Sequence, residues 1–404
     1  MLLKIAWRNI WRNSRRSVIV LGSVIVGVIS IIFMDALTNG FVQQMLFNQV
    51  DTNIGHIQIH EKDFRDNHNI KNFIPNNDAV EKAIKSEDNI KHSSKRVISF
   101  GLISSASSSS GVYMYGVEAV PEAEISIIDE SIVQGEFLSG KVREIIIGTR
   151  LAEKLNVEID DKVVAMANQL DESIGSEVFR VKGIFSTPNS EFDRSYVYTN
   201  ISTLQNMLGL ENEVHEYAIT LDEYNKAQEV SDKIKNELSE EYEVLSYREI
   251  LPMLILQIEL TKESMWIVNL IIGLALIFGI INTMLMTVYE RIQEFGVLMS
   301  IGMKNSKLFL MIMLEAIIIG VIGTITGLVL GSGIVYPLSV SGIDLSVFAE
   351  GLTSLGTGSI IYPVFNLEGI GTAFFMIPFI TIIGALYPAY KAIKLQPVSA
   401  IRYV

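Results

Sequence analysis

Residues 282–315 read NTMLMTVYERIQEFGVLMSIGMKNSKLFLMIMLE, from Asn282 to Glu315. Two apolar runs flank a short polar loop that carries Glu290, Arg291, Glu294, Lys304 and Lys307. A loop of that size is too small to be a catalytic domain. It suits a docking element at a membrane surface, for an engine that this chain does not itself contain.

The apolar runs decide the fold class. A helix needs roughly 20 apolar residues to cross the hydrocarbon core. The chain has 404 residues, 49% of them hydrophobic, and its mean hydropathy is positive. Ser17–Met34, Ser264–Tyr289 and Gly369–Tyr390 carry no charge, and Leu308–Tyr336 carries one, Glu315. These are four expected spans. The first run is long for a signal peptide and lacks a small-residue cleavage site before Asp35, Thr38 and Gln43, so it reads as a retained anchor.

Charge sets the orientation. Residues 1–16 hold Lys4, Arg8, Arg12, Arg15 and Arg16 and no acid, and Arg291, Lys304, Lys307, Lys391, Lys394 and Arg402 follow in the 290–307 loop and the tail. Residues 337–368 hold Asp344, Glu350 and Glu368 and no base. The positive-inside rule therefore predicts that both termini and the 290–307 loop lie in the cytoplasm. The large segment 36–263 then lies outside; its 38 acids and 21 bases give it a net charge of −17. That acidity argues against nucleic acid as a partner. The chain has no cysteine, which rules out disulfides, thiolate metal ligands and the lipid anchor of a lipoprotein.

The expected fold is an α-helical membrane protein with four transmembrane helices and a large α+β extracytoplasmic domain between helices one and two. The expected intervals are an interfacial helix at 1–16, helix one with a stalk at 17–50, and the outer domain at 51–251. A stalk with helix two follows at 252–289, then the 290–307 loop, helix three at 308–336, an outer loop at 337–368, helix four at 369–390 and a tail at 391–404. Leu3, Trp7, Ile10 and Trp11 recur at helical spacing beside basic residues, which suits a helix lying at the headgroup layer. In the outer segment, strands are expected at 54–59, 96–102, 112–117, 145–147, 162–167, 177–185, 196–198 and 215–221. Helices are expected at 76–85, 148–155, 202–208 and 224–240. The run Ser104–Ser110, between two expected strands, reads as a polar loop or turn and as flexible.

Helix three carries Gly323, Gly327 and Gly331, four residues apart, a spacing that allows close packing in lipid against a helix the sequence does not identify. Glu315 sits about one turn inside that helix, where a carboxylate needs a pairing partner.

Several chemistries are absent. The sequence has no phosphate-binding loop, no H-E-x-x-H and no G-x-S-x-G. His56 and His60 sit on a strand-like pattern, where they would stand roughly 13 Å apart. They and His68, His92 and His215 read as ordinary surface histidines, and no metal site is expected. Nothing rises to a catalytic constellation.

Three segments carry a resemblance: AWRNIWRNSRR from Ala6, N-x-M-x-x-x-V-x-E-R-x-x-E-F-G-x-L-x-x-I-G-M from Asn282, and YPAYKAIKLQPVSAIRYV from Tyr387. Together they resemble the FtsX-like and MacB-type permeases of ABC systems, over nearly the whole chain. The segments Glu144–Gln169 and Val181–Asn200 look like the outer domain of the lipoprotein-releasing and efflux branches. The segment from Tyr113 and the chain length lean toward the lipoprotein-releasing branch.

The resemblance implies a permease that is not itself an enzyme, with no cofactor in this chain. It implies a dimer of a separate cytoplasmic ATPase using ATP and Mg2+, and a second permease protomer, identical or homologous. It places a coupling helix at about Glu290–Asn305, with Glu290, Arg291, Glu294, Gly296, Gly302 and Lys304 as contact residues. The implied work is mechanotransmission, most simply extraction of lipoproteins toward a periplasmic carrier. Efflux of peptides or hydrophobic toxins, and regulation of an extracytoplasmic enzyme, are the alternatives. For extraction, Phe33, Leu37, Phe41, Met45, Met253, Leu256 and Leu260 are candidates to face an acyl chain, or else they pack the stalk.

Overall fold

The computed structural model describes residues 2–12, 14–354 and 357–394; the tail expected at 391–404, with the end of the motif that begins at Tyr387, lies outside them from residue 395. The chain forms two units, one of Met1–Val42, Ile258–Asp344 and Ile360–Val404, the other of Gln43–Gln257 and Leu345–Ser359.

The first unit is helical because a backbone in lipid must satisfy its own hydrogen bonds. Its elements are α1 (Leu2–Arg12), α2 (Ser14–Gln49), α3 (Pro252–Glu290), α4 (Ile292–Ser300), α5 (Asn305–Ser341) and α6 (Leu367–Ile393). Four of them, α2, α3, α5 and α6, are long and apolar enough to cross a membrane. The second unit's α+β fold falls between the first span and the other three.

The glycines of α5 find their neighbour in α2. A Cβ on Gly323 would lie 2.6 Å from Val24, and one on Gly327 2.6 Å from Val28. At Gly331 the nearest atom is Cδ1 of Ile32 at 3.2 Å. Val24, Val28 and Ile32 are themselves four apart, and both sets rise together. So α2 and α5 run parallel in one-to-one register, with the missing side chains letting the backbones close. Parallel packing places the start of α2 on the same side of the unit as the α3–α5 connection.

The second unit holds a sheet of β1 (Ile57–Glu61), β2 (Ile90–Ser104), β3 (Ser109–Val117), β4 (Ile132–Gly135), β5 (Glu144–Gly148), β6 (Lys162–Asn168), β7 (Ile174–Phe185), β8 (Tyr196–Asn200), β9 (Glu216–Leu221) and β10 (Tyr242–Ser246). The order is β10-β1-β9-β2-β3-β8-β5-β7-β4, and β6 pairs with β2 and β7. Pairing is parallel for β3–β8 and β5–β7 and antiparallel elsewhere. Alternation explains burial: Val163, Ala165 and Ala167 of β6 face the core, while their neighbours turn away. The helix Asn77–Ser86 starts where the Asn76 side chain accepts from the amides of Asp78 and Ala79. The helix Ala227–Glu237 buries Ala227, Val230 and Ile234.

Two sequence expectations need correction here. The serine run is a turn between β2 and β3, as the sequence allowed, but hydrogen bonds pin it where flexibility was expected. Ser105 and Ser107 both donate to the carbonyl of Leu155, at 2.6 and 2.8 Å, at the end of the helix Thr149–Leu155, where a carbonyl lacks a helical partner.

The histidines also differ from expectation, since His60 and His215 are buried. His60 Nε2 meets Glu216 at 3.0 Å, Glu216 accepts from Arg96 at 2.8 Å, and Arg96 grips Glu122 at 2.6 and 2.9 Å. Burial opposes ionisation of Glu216, yet the hydrogen bond from His60 and the charge of Arg96 hold it below the usual carboxylate range. His215 accepts from the Ile98 amide at 3.0 Å, and burial pushes it down to about 4, so it is neutral at pH 7. Phe64 stacks on both imidazoles. A one-residue pattern cannot reveal this cluster, because its members come from three separate strands and a short helix.

The helix packing yields a graded prediction. At Gly327 a methyl would meet Cβ of Val28 and, at 3.2 Å, the carbonyl of Ile25, neither of which can swing away. At Gly331 it would meet only the tip of Ile32 closely. Gly327→Ala should destabilise the chain by about 1–3 kcal/mol, and Gly331→Ala by clearly less. Thermal unfolding in detergent reads the difference; equal effects would contradict the α2–α5 register.

Candidate functional site

The α3–α5 connection is built around one buried arginine. Arg291 follows α3 directly and occupies the N-cap position of α4. It is 4% exposed. Its Nη1 donates to both carboxylate oxygens of Glu315 on α5, at 3.0 and 3.2 Å, and its Nε donates to Glu294 at 3.1 Å. The guanidinium also lies 4.9 Å from the ring centre of the buried Phe295, a cation–π placement. On the far side, Asn9 of α1 donates to Glu315 at 2.7 Å. Arg12 of α1 donates to Glu294. One carboxylate on α5 therefore ties α1, α4 and α5 together. A void of about 20 Å³ beside it is bounded by Asn9, Arg291 and Glu315, about the space one water needs.

The two faces of α4 differ. Ile292, Phe295 and Gly296 are buried. Glu294, Val297 and Ser300 are exposed, as are Ile301, Gly302 and Lys304 beyond the helix. Val297 is 46% and Ile301 79% exposed, one turn apart, on the helix and at its C-cap. The helix ends in a Schellman turn: Met303 N donates to Leu298 O and Gly302 N to Met299 O, both at 3.0 Å. Gly302 carries the turn at φ +99°, a conformation that favours glycine. Lys304 is the N-cap residue of α5.

The residues singled out from sequence thus fall into two groups. Arg291, Gly296 and Glu315 are inside; Glu290, Glu294, Gly302 and Lys304 are on the surface. Asn9, Arg12, Val297 and Ile301 were not singled out. The signal for the last two was available: Ile292, Phe295 and Gly296 define one face of a helix, and Val297 and Ile301 fall on the other. Nothing in the sequence pairs Asn9 with Glu315, some 300 residues away.

The acyl-chain candidates also divide. Phe33, Leu37 and Phe41 are half-buried and Leu260 is 56% exposed, all in the membrane unit. Met45 is buried, while Met253 and Leu256 are 76% and 48% exposed, in the other unit. Among the described residues no group of three or more His, Cys, Asp or Glu side chains could hold a metal.

Removing one partner of a buried ion pair leaves an uncompensated charge, at a cost of about 3–5 kcal/mol. Glu315→Ala should accordingly lower the unfolding temperature far more than Asn9→Ala. Replacing both Arg291 and Glu315 by Met should recover most of the loss. Thermal unfolding of the four proteins in detergent checks the order; a double replacement no better than Glu315→Ala would refute the pairing energetics.

Residues 17–237 match the MacB-like periplasmic core domain, and residues 266–397 match the FtsX-like permease C-terminal region. A lipoprotein-releasing system transmembrane protein LolC from Xylella fastidiosa is 24% identical over 310 residues, covering 72% of each chain. The protein of the same name from Neisseria meningitidis is 24% identical over 419 residues, covering 95% of this chain and 93% of the relative. An uncharacterized ABC transporter permease, YvrN of Bacillus subtilis, is 24% identical over 437 residues, covering 99% of both. With four spans, a large domain after the first and these matches, the chain belongs to the MacB-like, FtsX-like family of ABC transporter permeases.

Proposed function

We propose that the chain is the mechanical half of a lipoprotein-releasing ABC complex, with α4 as its coupling helix. The observation that carries the reading is the two-sided character of α4. Its inner face is fixed to α5 and α1 through Arg291, Glu315 and Asn9, and its outer face offers Val297 and Ile301 beside Glu294 and Lys304. Exposed large apolar side chains on a short surface helix suit a partner groove. A rigid underside is what a force-bearing contact needs.

In this reading α4 lies in the cytoplasm, where the basic residues of 1–16 and 290–307 also favour it. Each of two permease protomers, identical or homologous, seats α4 on one subunit of a separate ATPase dimer that uses ATP and Mg2+. Closure of that dimer pushes α4. The push reaches α5 through the Arg291–Glu315 pair, and α2 through the glycine seam at Gly323, Gly327 and Gly331. Helices α2 and α3 continue toward the periplasmic domain, which moves with them. The substrate need not cross the membrane through this protein.

The substrate class rests on the LolC relatives, which match over most of both chains. A lipoprotein would be lifted from the outer leaflet of the inner membrane and passed to a periplasmic carrier. Of the candidates in the membrane unit, Phe33, Leu37, Phe41 and Leu260 would meet its acyl chains.

The test is reconstitution of the chain with its co-purifying ATPase in liposomes carrying a labelled lipoprotein and an acceptor. ATP-dependent appearance of the lipoprotein in the soluble fraction is expected. Val297→Glu with Ile301→Glu should abolish release and the permease's stimulation of ATP hydrolysis, while thermal unfolding in detergent stays as in the unmodified chain. Release that survives both substitutions would remove the coupling role of α4. Vigorous ATP hydrolysis without release would move the substrate to efflux or to control of an enzyme.

A further inference from the structure

A cavity of about 220 Å³ opens in the membrane unit between α2, α3 and the start of α6. It lies at the ends of these helices remote from the α4 site. Its lining is polar where lipid-facing surface is ordinarily apolar: Asp35, Lys262, Asn269 and Glu368 all contribute. Asp35, Lys262 and Glu368 stand just beyond the ends of the uncharged runs 17–34, 264–289 and 369–390, and Asn269 lies inside one.

The fold holds the Asp35 carboxylate in place. Asn39 donates to Asp35 at 3.0 Å. Gly369 lets Asp35 reach the first turn of α6, since a Cβ there would lie 1.9 Å from its Oδ2. The positive end of the α6 dipole favours a carboxylate at that point. Glu368, one residue earlier, lines the same cavity. Among the described residues, neither carboxylate forms an ion pair, and neither does Lys262. Asn269 adds a second, independent observation: its Oδ1 is buried and has no donor. A buried acceptor without a donor costs free energy, and the half-buried Asn269 that carries it lines this cavity.

The cavity thus lacks a multivalent N–H donor of positive charge, close to an anion that suits Lys262. A primary ammonium joined to a phosphate has both. The surroundings choose the source. The walls are membrane helices, Met265 and Met376 line the cavity, and Trp266 is 75% exposed at its mouth. Trp at this level of a span belongs to the headgroup layer. We propose that this cavity binds the headgroup of an aminophospholipid, with its primary ammonium between Asp35 and Glu368 and its phosphate at Lys262. The site is independent of the α4 reading and stands or falls separately from it.

Native mass spectrometry of the full-length chain in detergent tests this, with dioleoyl phosphatidylethanolamine, phosphatidylcholine and phosphatidylglycerol offered in equal amounts. Phosphatidylcholine is the stringent control, since its three methyl groups remove every N–H donor and leave charge and phosphate in place. Retention of phosphatidylethanolamine should exceed that of phosphatidylcholine by at least about tenfold, the worth of one charge-assisted hydrogen bond. Asp35→Asn with Glu368→Gln should abolish the preference, and Lys262→Ala, a milder change, should weaken retention of phosphatidylethanolamine. Equal retention of the first two lipids by the unmodified chain overturns the proposal without recourse to any variant. So does displacement of the lipid by an equal concentration of free phosphoethanolamine, which would make the ligand a soluble amine.

Discussion

The membrane unit depends on one buried ion pair. Arg291 and Glu315 come from opposite sides of a tight connection and meet where neither has access to bulk water. Such a pair stabilises a fold only when geometry is good and the remaining hydrogen-bonding capacity is used. Both conditions hold here. Arg291 makes two bonds to Glu315, one to Glu294 and a contact with the Phe295 ring. Glu315 takes a further bond from Asn9. The exposed Arg12–Glu294 pair adds little by comparison, because water and salt screen it.

That geometry changes the meaning of the charged loop. The motif around Glu290–Gly302 invites a reading in which Arg291 and Glu294 reach outward to a partner. The structure turns Arg291 inward, so its substitution would disturb the seating of α4 as well as any contact. The surface that α4 leaves for a partner is partly apolar, through Val297 and Ile301. Stiffness and recognition thus reside on opposite faces of α4 and its two cap residues.

Much of the architecture was legible from sequence because membrane spans announce themselves by length and composition. The uncharged runs at 17–34, 264–289 and 369–390 each fall within one observed helix. The glycine spacing on α5 was legible too, but its partner was not, because apolar residues four apart occur on every span. Most strands of the outer domain followed from alternation. The strands β4 and β10 at the two ends of the sheet order did not, and β4 buries none of its four residues, so no alternation marks it. Of the buried cluster of Arg96, Glu122, Glu216 and His60, only His60 was read, as a surface histidine, because a local pattern cannot see that partners far apart in the chain neutralise one another. Asn9 escaped for the same reason: a lone Asn in a basic helix carries no mark of the carboxylate it meets.

The central claim is that Glu315 holds α4 against α5 through Arg291. Amide hydrogen exchange in the full-length chain addresses it directly, comparing the unmodified protein with Glu315→Gln. The account predicts that protection across 292–300 falls in the variant while β2 of the outer domain keeps its protection. Unchanged protection of 292–300 in a folded Glu315→Gln protein would contradict it.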